Sequence, residues 1–277
     1  MFVTSLLCQV ILATAAFAVP TARERLADRV ARRAAGLTRQ SLPNQAVQLS
    51  ENTLVADVNG ADNATYATVS YSTNWAGAVL SATTATYKEV TGTFVVPTPK
   101  EPSGATGKHY AAAWVGIDGD TCGHAILQTG VDFAVNGNTV TYSAWYEWFP
   151  AGAYDFSGIT FKAGDSVTVT ATAASKTSGT VSIKNHRTGK VVSHTFTGQP
   201  ALCEYDAEWI VEDFSSGGLV PFANFGKVAF TAATARTLAG KTVGPANAKQ
   251  IDIVQNNKVL TKVTTGAKAV TVAYTGA

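Results

Sequence analysis

The 277-residue sequence is poor in several things that would otherwise steer its reading. It holds one Met (the initiator), four His and three Cys, and only 14% of its residues are charged. The formal net charge is +2 and no basic face stands out in the body of the chain, so no nucleic-acid partner is expected. Neither a His-Glu-x-x-His helix nor a Gly-x-Ser-x-Gly elbow occurs, which removes two common hydrolase signatures. His109, His124, His186 and His194 sit in no motif that would let an imidazole deprotonate a Ser; His186 and His194 read as solvated, His109 and His124 as rim contacts. Gln128-Thr129-Gly130 has the shape of an aspartic-protease turn but carries an amide where the acid would stand. Cys8 lies in the N-terminal apolar stretch, leaving Cys122 and Cys203 as a candidate pair. With export, a disulfide is a better reading of that pair than a metal site, because no His/Cys spacing supports zinc.

Helix is scarce too. The composition is rich in Thr, Val, Ala, Ser and Gly, and β-branched residues fit a pleated surface while Gly punctuates it. From about Tyr71 onward, segments bounded by turn residues read as strands: Thr86–Val96, Ala111–Ile117, Ala125–Phe133, Thr139–Phe149, Ser166–Ala173, Thr180–Asn185, Val191–Thr197, Glu208–Phe214, Val228–Thr231, Ala248–Gln255 and Ala269–Tyr274. Asn136-Gly137 signals a tight turn, and Asn185 to Gly189 a hairpin loop. So many strands with no helical pattern among them predict one all-β domain, an antiparallel sandwich or barrel.

The N-terminal residues read differently. Residues 2–18 form an apolar run ending Ala16-Phe17-Ala18, so residues 1–18 have the pattern of a secretory signal peptide. The run is short for a bilayer span, which needs about 20 apolar residues, so no membrane partner is expected once it is removed. Residues 19–68 read as a propeptide. Thr21 to roughly Gln40 is Arg-rich with Leu26, Val30 and Leu37 along one side, a helical spacing. A polar stretch with a glycosylation sequon at Asn63 follows. The alternative for this region is a disordered linker. Residues 69–277 form the β-domain.

Strand alternation places residues two apart on one face. Ile126, Gln128, Gly130 and Asp132 share a face, as do Ser143, Trp145, Glu147 and Phe149, and Glu208, Ile210, Glu212 and Phe214. Aromatic bulk holding a few carboxylates and an amide describes a cleft lining; an amphipathic outer face is the plainer alternative.

Several long motifs now carry a resemblance. Trp114-Val115-Gly116-Ile117-Asp118-Gly119-Asp120-Thr121-Cys122, Ala125 to Asp132 (AILQTGVD), Ala144 to Pro150 (AWYEWFP), Ala207 to Phe214 (AEWIVEDF) and Ser72 to Gly77 (STNWAG) resemble the eqolisin family of glutamic peptidases, from about Tyr71 to the end. The resemblance implies a sandwich of two curved antiparallel sheets with a substrate cleft on a concave face, and no cofactor or metal. It implies a catalytic dyad of Gln128 and Glu212, with Trp75, Asp118, Asp120, Asp132, Trp145, Glu147 and Glu208 lining or supporting the cleft and Cys122–Cys203 bridged. Alternation alone does not rank Glu208 against Glu212; the Glu-Asp-Phe context favours Glu212. The expected protein is a secreted, monomeric acid endopeptidase acting on polypeptides, with its own propeptide as inhibitor.

Two other readings stand beside it. A carbohydrate-binding or glycan-hydrolysing sandwich would also use aromatic platforms and paired carboxylates. Against it, positions four apart on one strand, such as Glu208 and Glu212, are about 13 Å apart, too far for a glycosidase pair, though a pair from different strands stays open. A non-catalytic secreted protein would be favoured by loss of the Gln or the Glu, and both are present.

Overall fold

The computed structural model describes residues 39–48 and 69–276. The expected signal peptide, most of the expected pro-helix and the Asn63 sequon lie outside them. The described chain is two stacked sheets with a single 3-10 turn, Pro245–Asn247.

The back sheet runs, in spatial order, Val191–Phe196, Ser178–Asn185, Ser166–Ser175, Tyr87–Val95, Lys227–Thr237, Ala269–Tyr274 and Thr261–Gly266, all antiparallel. The front sheet runs Ala46–Val47, Val69–Ser72, Lys249–Gln255, Trp75–Ser81, Asp206–Glu212, His109–Ile117, Ile126–Asn136, Thr139–Phe149 and Tyr154–Asp155. Its neighbours are antiparallel except Val69–Ser72 beside Lys249–Gln255.

Alternation divides the front sheet's side chains between two apolar clusters. Ala76, Ala113, Val115, Leu127, Val131, Trp148, Trp209 and Val211 face the back sheet and meet Val90, Phe94, Val169, Val181 and Phe230 in the main core. Each Val, Leu or Phe among them contributes about 1.5–3 kcal/mol when fully buried. The Trp209 indole N–H, buried between the sheets, donates to Thr91 O at 2.8 Å, so its polar atom is not left unpaired. The opposite face carries Trp75, Ala112, Trp114, Ile126, Trp145, Ile210 and Phe214 in a second cluster. A sheet buried on both faces reads as continuous apolar sequence, which is why Trp75–Ser81, with five consecutive buried residues, shows no alternation.

Cys122 and Cys203 are joined, closing a separation of 81 residues. In the chain-entropy account a loop of that length is worth about 4–5 kcal/mol. His124 lies against the bridge and completes a Cys122, His124, Cys203 cluster, but with the sulfurs bonded to each other a metal would find one imidazole there. Two expectations are corrected. His194 is not simply solvated: its ring stacks on Tyr146 with centroids 4.1 Å apart. Arg39 and Gln40, assigned to the end of a helix, are non-helical; Gln40 instead exchanges two backbone hydrogen bonds with Ser215.

Candidate active site

The pairing registers of four strand neighbours align three rows across the second face. One row is Val79, Glu208, Gly116, Gln128 and Glu147; the next is Gly77, Ile210, Trp114, Gly130 and Trp145; the third is Trp75, Glu212, Ala112, Asp132 and Ser143. The middle row is an aromatic floor, and the outer rows hold the polar groups. Gly130 is required there: a Cβ on it would lie 2.4 Å from Trp114 Cβ and 2.4 Å from Ala113 O. The missing side chain lets Trp114 approach this closely through its Cβ, its ring edge lies over Gly116, and its indole N–H donates to Glu212 Oε2 at 3.0 Å.

An extended stretch of the N-terminal segment lies in this cleft. The Leu42 N–H donates to Glu212 Oε1 at 3.1 Å, and the Ser41 N–H to Glu147 Oε2 at 3.1 Å. Leu42 O accepts from the Trp75 indole at 2.9 Å and from Asn74 Nδ2 at 3.2 Å. The Asn44 amide donates to Asp120 Oδ1 at 2.7 Å, and Lys249 pairs with the other oxygen of that carboxylate. At the other end, Arg39 enters a carboxylate pocket: its Nε is 2.7 Å from Asp132 Oδ2, and a terminal guanidinium nitrogen is 3.5 Å from Glu147 Oε2. The guanidinium carbon lies 3.7 Å from the centre of the Trp145 ring and 4.5 Å from that of Phe214. An arginine so paired and stacked is held by both charge and cation–π attraction. Beside it the cleft continues as a cavity of about 580 Å³ bordered by Tyr110, Asp132, Asp155, Phe214 and Val220.

The carboxyls here are unusually hard to ionise. Burial pushes Glu212 up to about 7, opposed first by Arg39. Burial raises Asp132 to about 6 and lifts Glu147 well above the carboxylate range, Arg39 again opposing both. Glu208 is raised strongly by burial, with the charges of Asp206, Asp118 and Asp120 adding to it. Desolvation is the leading cause throughout, as expected for acids on an apolar floor.

The structure therefore brings Gln128, Glu212, Trp75, Asp120, Asp132, Trp145, Glu147 and Glu208 to one cleft. Gln128 is fully buried with no hydrogen-bond partner on either amide atom, and Glu208 likewise on either oxygen. Asp118 stands behind them. Its carboxylate accepts the N–H groups of Glu204, Tyr205 and Asp206, and its φ of 71° is a left-handed conformation those bonds hold in place. Three contributors were not singled out from sequence: Asn74, which grips the segment; Phe214 as a partner for Arg39; and Trp114, which holds Glu212. Extending the alternation argument to Ala112, Trp114 and Gly116 would have placed Trp114 on the cleft face.

Residues 73–274 match the model of the peptidase A4 family. The chain belongs to the peptidase A4 family. It is a glutamic endopeptidase. It is 46% identical over 281 residues to aspergillopepsin-2 of Aspergillus niger, covering 95% of each chain. It is 40% identical over 221 residues to scytalidopepsin B of Scytalidium lignicola, covering 76% of this chain and 81% of that one. Among solved structures it resembles scytalido-glutamic peptidase crystallised with a transition-state analog inhibitor, at a TM-score of 0.67 and 38% identity. That match covers 73% of this chain and 98% of the other. The two-sheet architecture described above is the fold of these peptidases.

Proposed function

We propose that this peptidase is secreted as a precursor and hydrolyses internal peptide bonds of polypeptides in acid, with Glu212 and Gln128 as its catalytic pair. The observation that carries the reading is the extended segment in the cleft. Main-chain N–H groups of Ser41 and Leu42 rest on Glu147 and Glu212, and a main-chain carbonyl rests on Trp75, so the cleft already fits a polypeptide backbone. Secretion is supported by the N-terminal apolar run and by the disulfide.

In the proposed reaction a water between Glu212 and Gln128 attacks the scissile carbonyl. The Glu212 carboxylate takes a proton from the water as the oxygen adds. The Gln128 amide N–H meets the developing oxyanion, an interaction worth about 3 kcal/mol where such donors have been removed. Protonated Glu212 then delivers its proton to the leaving nitrogen. Because an amide does not titrate, only Glu212 must be ionised. Trp114 and Leu42 donate to it, yet burial outweighs them while the segment is seated. When the segment leaves, Arg39, Ser41 and Leu42, which lower Glu212, leave with it, and entering water relieves part of the burial that raises it.

The same segment is the proposed inhibitor. It occupies Glu212 with an N–H but puts no carbonyl within hydrogen-bonding distance of Gln128. It is thus bound without a group at the oxyanion position, as a blocker rather than a substrate. The test is digestion of a denatured protein between pH 2 and 7 with pepstatin and a chelator present. Cleavage in acid that ignores both reagents is expected. Inhibition by the chelator, or no cleavage by correctly processed protein, would overturn the reading.

A further inference from the structure

Glu208 is the polar group in the cleft that the reaction above does not use, and its placement is specific. It lies in register with Gln128 across a single intervening strand, with Gly116 between them. A Cβ on Gly116 would lie 2.5 Å from Glu208 Oε1, 2.8 Å from Trp114 Cζ3 and 3.3 Å from Gln128 Cβ, so the glycine's missing side chain lets the Glu208 carboxyl lie over Gly116 on the side of Gln128, beside the Trp114 ring edge. Glu208 is fully buried and neither carboxyl oxygen has a partner; Gln128 is fully buried and neither amide atom has one. Four buried unpartnered polar atoms on the two sides of one glycine are costly, at about 1–3 kcal/mol per unsatisfied group, unless they pair in the working enzyme.

The surrounding carboxylates are already engaged. Asp118 accepts three main-chain N–H groups, Asp206 accepts from Thr121 and Cys122, and Asp120 is held by Asn44 and Lys249. Burial first, and then the charges of Asp206, Asp118 and Asp120, raise Glu208 well above the ordinary Glu value, which favours its neutral acid form. A neutral carboxyl has one O–H to donate, and an amide oxygen is the matching acceptor. An ionised carboxylate would instead attract the amide N–H groups and turn the oxygen toward the substrate.

We propose that Glu208 is a positioning residue for Gln128: in the open enzyme its carboxylic acid donates to Gln128 Oε1 over Gly116, which fixes the amide with its N–H toward the oxyanion. This rests on Gln128 being the oxyanion donor. It needs no contact between Glu208 and the substrate, consistent with the depth at which Glu208 lies.

The test uses the acid-activated enzyme with Glu208→Met, Glu208→Gln, Gln128→Ala and the Gln128→Ala/Glu208→Met double variant, reading kcat, KM and thermal midpoint. Glu208→Met is expected to lower kcat about 10- to 100-fold, the usual scale for removing support from a working group, with KM changed by no more than about twofold. Glu208→Gln, whose amide N–H can still donate, is expected to keep kcat within about threefold of wild type. The double variant should be no slower than Gln128→Ala alone, since a residue acting only through Gln128 has nothing further to lose. Wild-type kcat in Glu208→Met, additive losses in the double variant, or a Glu208→Gln enzyme as slow as Glu208→Met would each overturn the proposal. If Glu208→Met does not accumulate as folded protein, Glu208→Asp decides. Withdrawing the carboxyl by one methylene should lower kcat at unchanged KM, and an unimpaired enzyme contradicts the idea. Near-full turnover by Gln128→Ala would remove the dyad itself. An impaired Gln128→Ala beside unimpaired Glu208 variants removes only the positioning role.

Discussion

Replacing Glu212 with Gln in the acid-activated enzyme is expected to lower kcat roughly a thousand- to ten-thousandfold, the upper range for losing a general acid–base group. The substitution is nearly isosteric, and the new amide oxygen can still accept the Trp114 indole N–H, so the cleft floor has no reason to move. Stability supplies a control. With the N-terminal segment seated, Glu212 is raised to about 7 by burial, so in the precursor its contribution to stability is fully present below the ordinary Glu value of about 4.3 and is lost as pH rises through 7. A glutamine carries no such dependence. The variant precursor should therefore melt no lower than the wild-type precursor at pH 8, while the activated variant is almost inactive at the acid optimum; thermal melts of the precursors and steady-state kinetics of the activated forms check both. A variant with a few-fold loss would mean that another carboxyl takes the proton.

The second large effect concerns Arg39. A peptide spanning residues 19–68 is expected to inhibit the activated enzyme at pH 7, and Arg39→Ala in that peptide to weaken inhibition about 30-fold or more, the scale for losing one partner of a buried, hydrogen-bonded charge pair. The wild-type peptide should itself weaken in acid. Arg39 lowers the pKa values of Asp132, Glu147 and Glu212 when bound, so binding releases protons and is favoured at higher pH. With Asp132 near 6 in the bound state, affinity should begin to fall below about pH 6, by tenfold for each unit by which Arg39 depresses a coupled carboxyl. The inhibition constant measured from pH 4 to 7 is the readout. A constant that does not move with pH, or an Arg39→Ala peptide as potent as wild type, would remove the ion pairs as the source of latency.

Much of the sheet was legible because burial on one face leaves a period of two. Thr139–Phe149 and Ala269–Tyr274 fall where alternation places them. Trp75–Ser81 escaped because both of its faces are covered, and Thr261–Gly266 because its exposed positions are Lys and Thr that also suit loops. The three cleft faces were legible for the same reason, and the registers align them into adjacent rows. What sequence spacing does not contain is the pairing of strands far apart in the chain. It could not say that Trp114 reaches Glu212, 98 residues away, or that Glu208 sits beside Gln128 across Gly116. Nor could a helical spacing of apolar residues reveal that Arg39 ends as extended chain between Asp132 and Trp145. That outcome is set by a carboxylate pocket built from the Ile126–Asn136 and Thr139–Phe149 strands, and a local pattern carries no record of it.

The paired action of Glu212 and Gln128 is tested most directly by the kcat of Gln128→Ala on a peptide substrate at the acid optimum, after release of the N-terminal segment. Loss of the oxyanion donor predicts a fall of about a hundred- to a thousandfold with KM little changed, because the interaction is made in the transition state. Near-full turnover would contradict the pairing and leave Glu212 working without an amide partner.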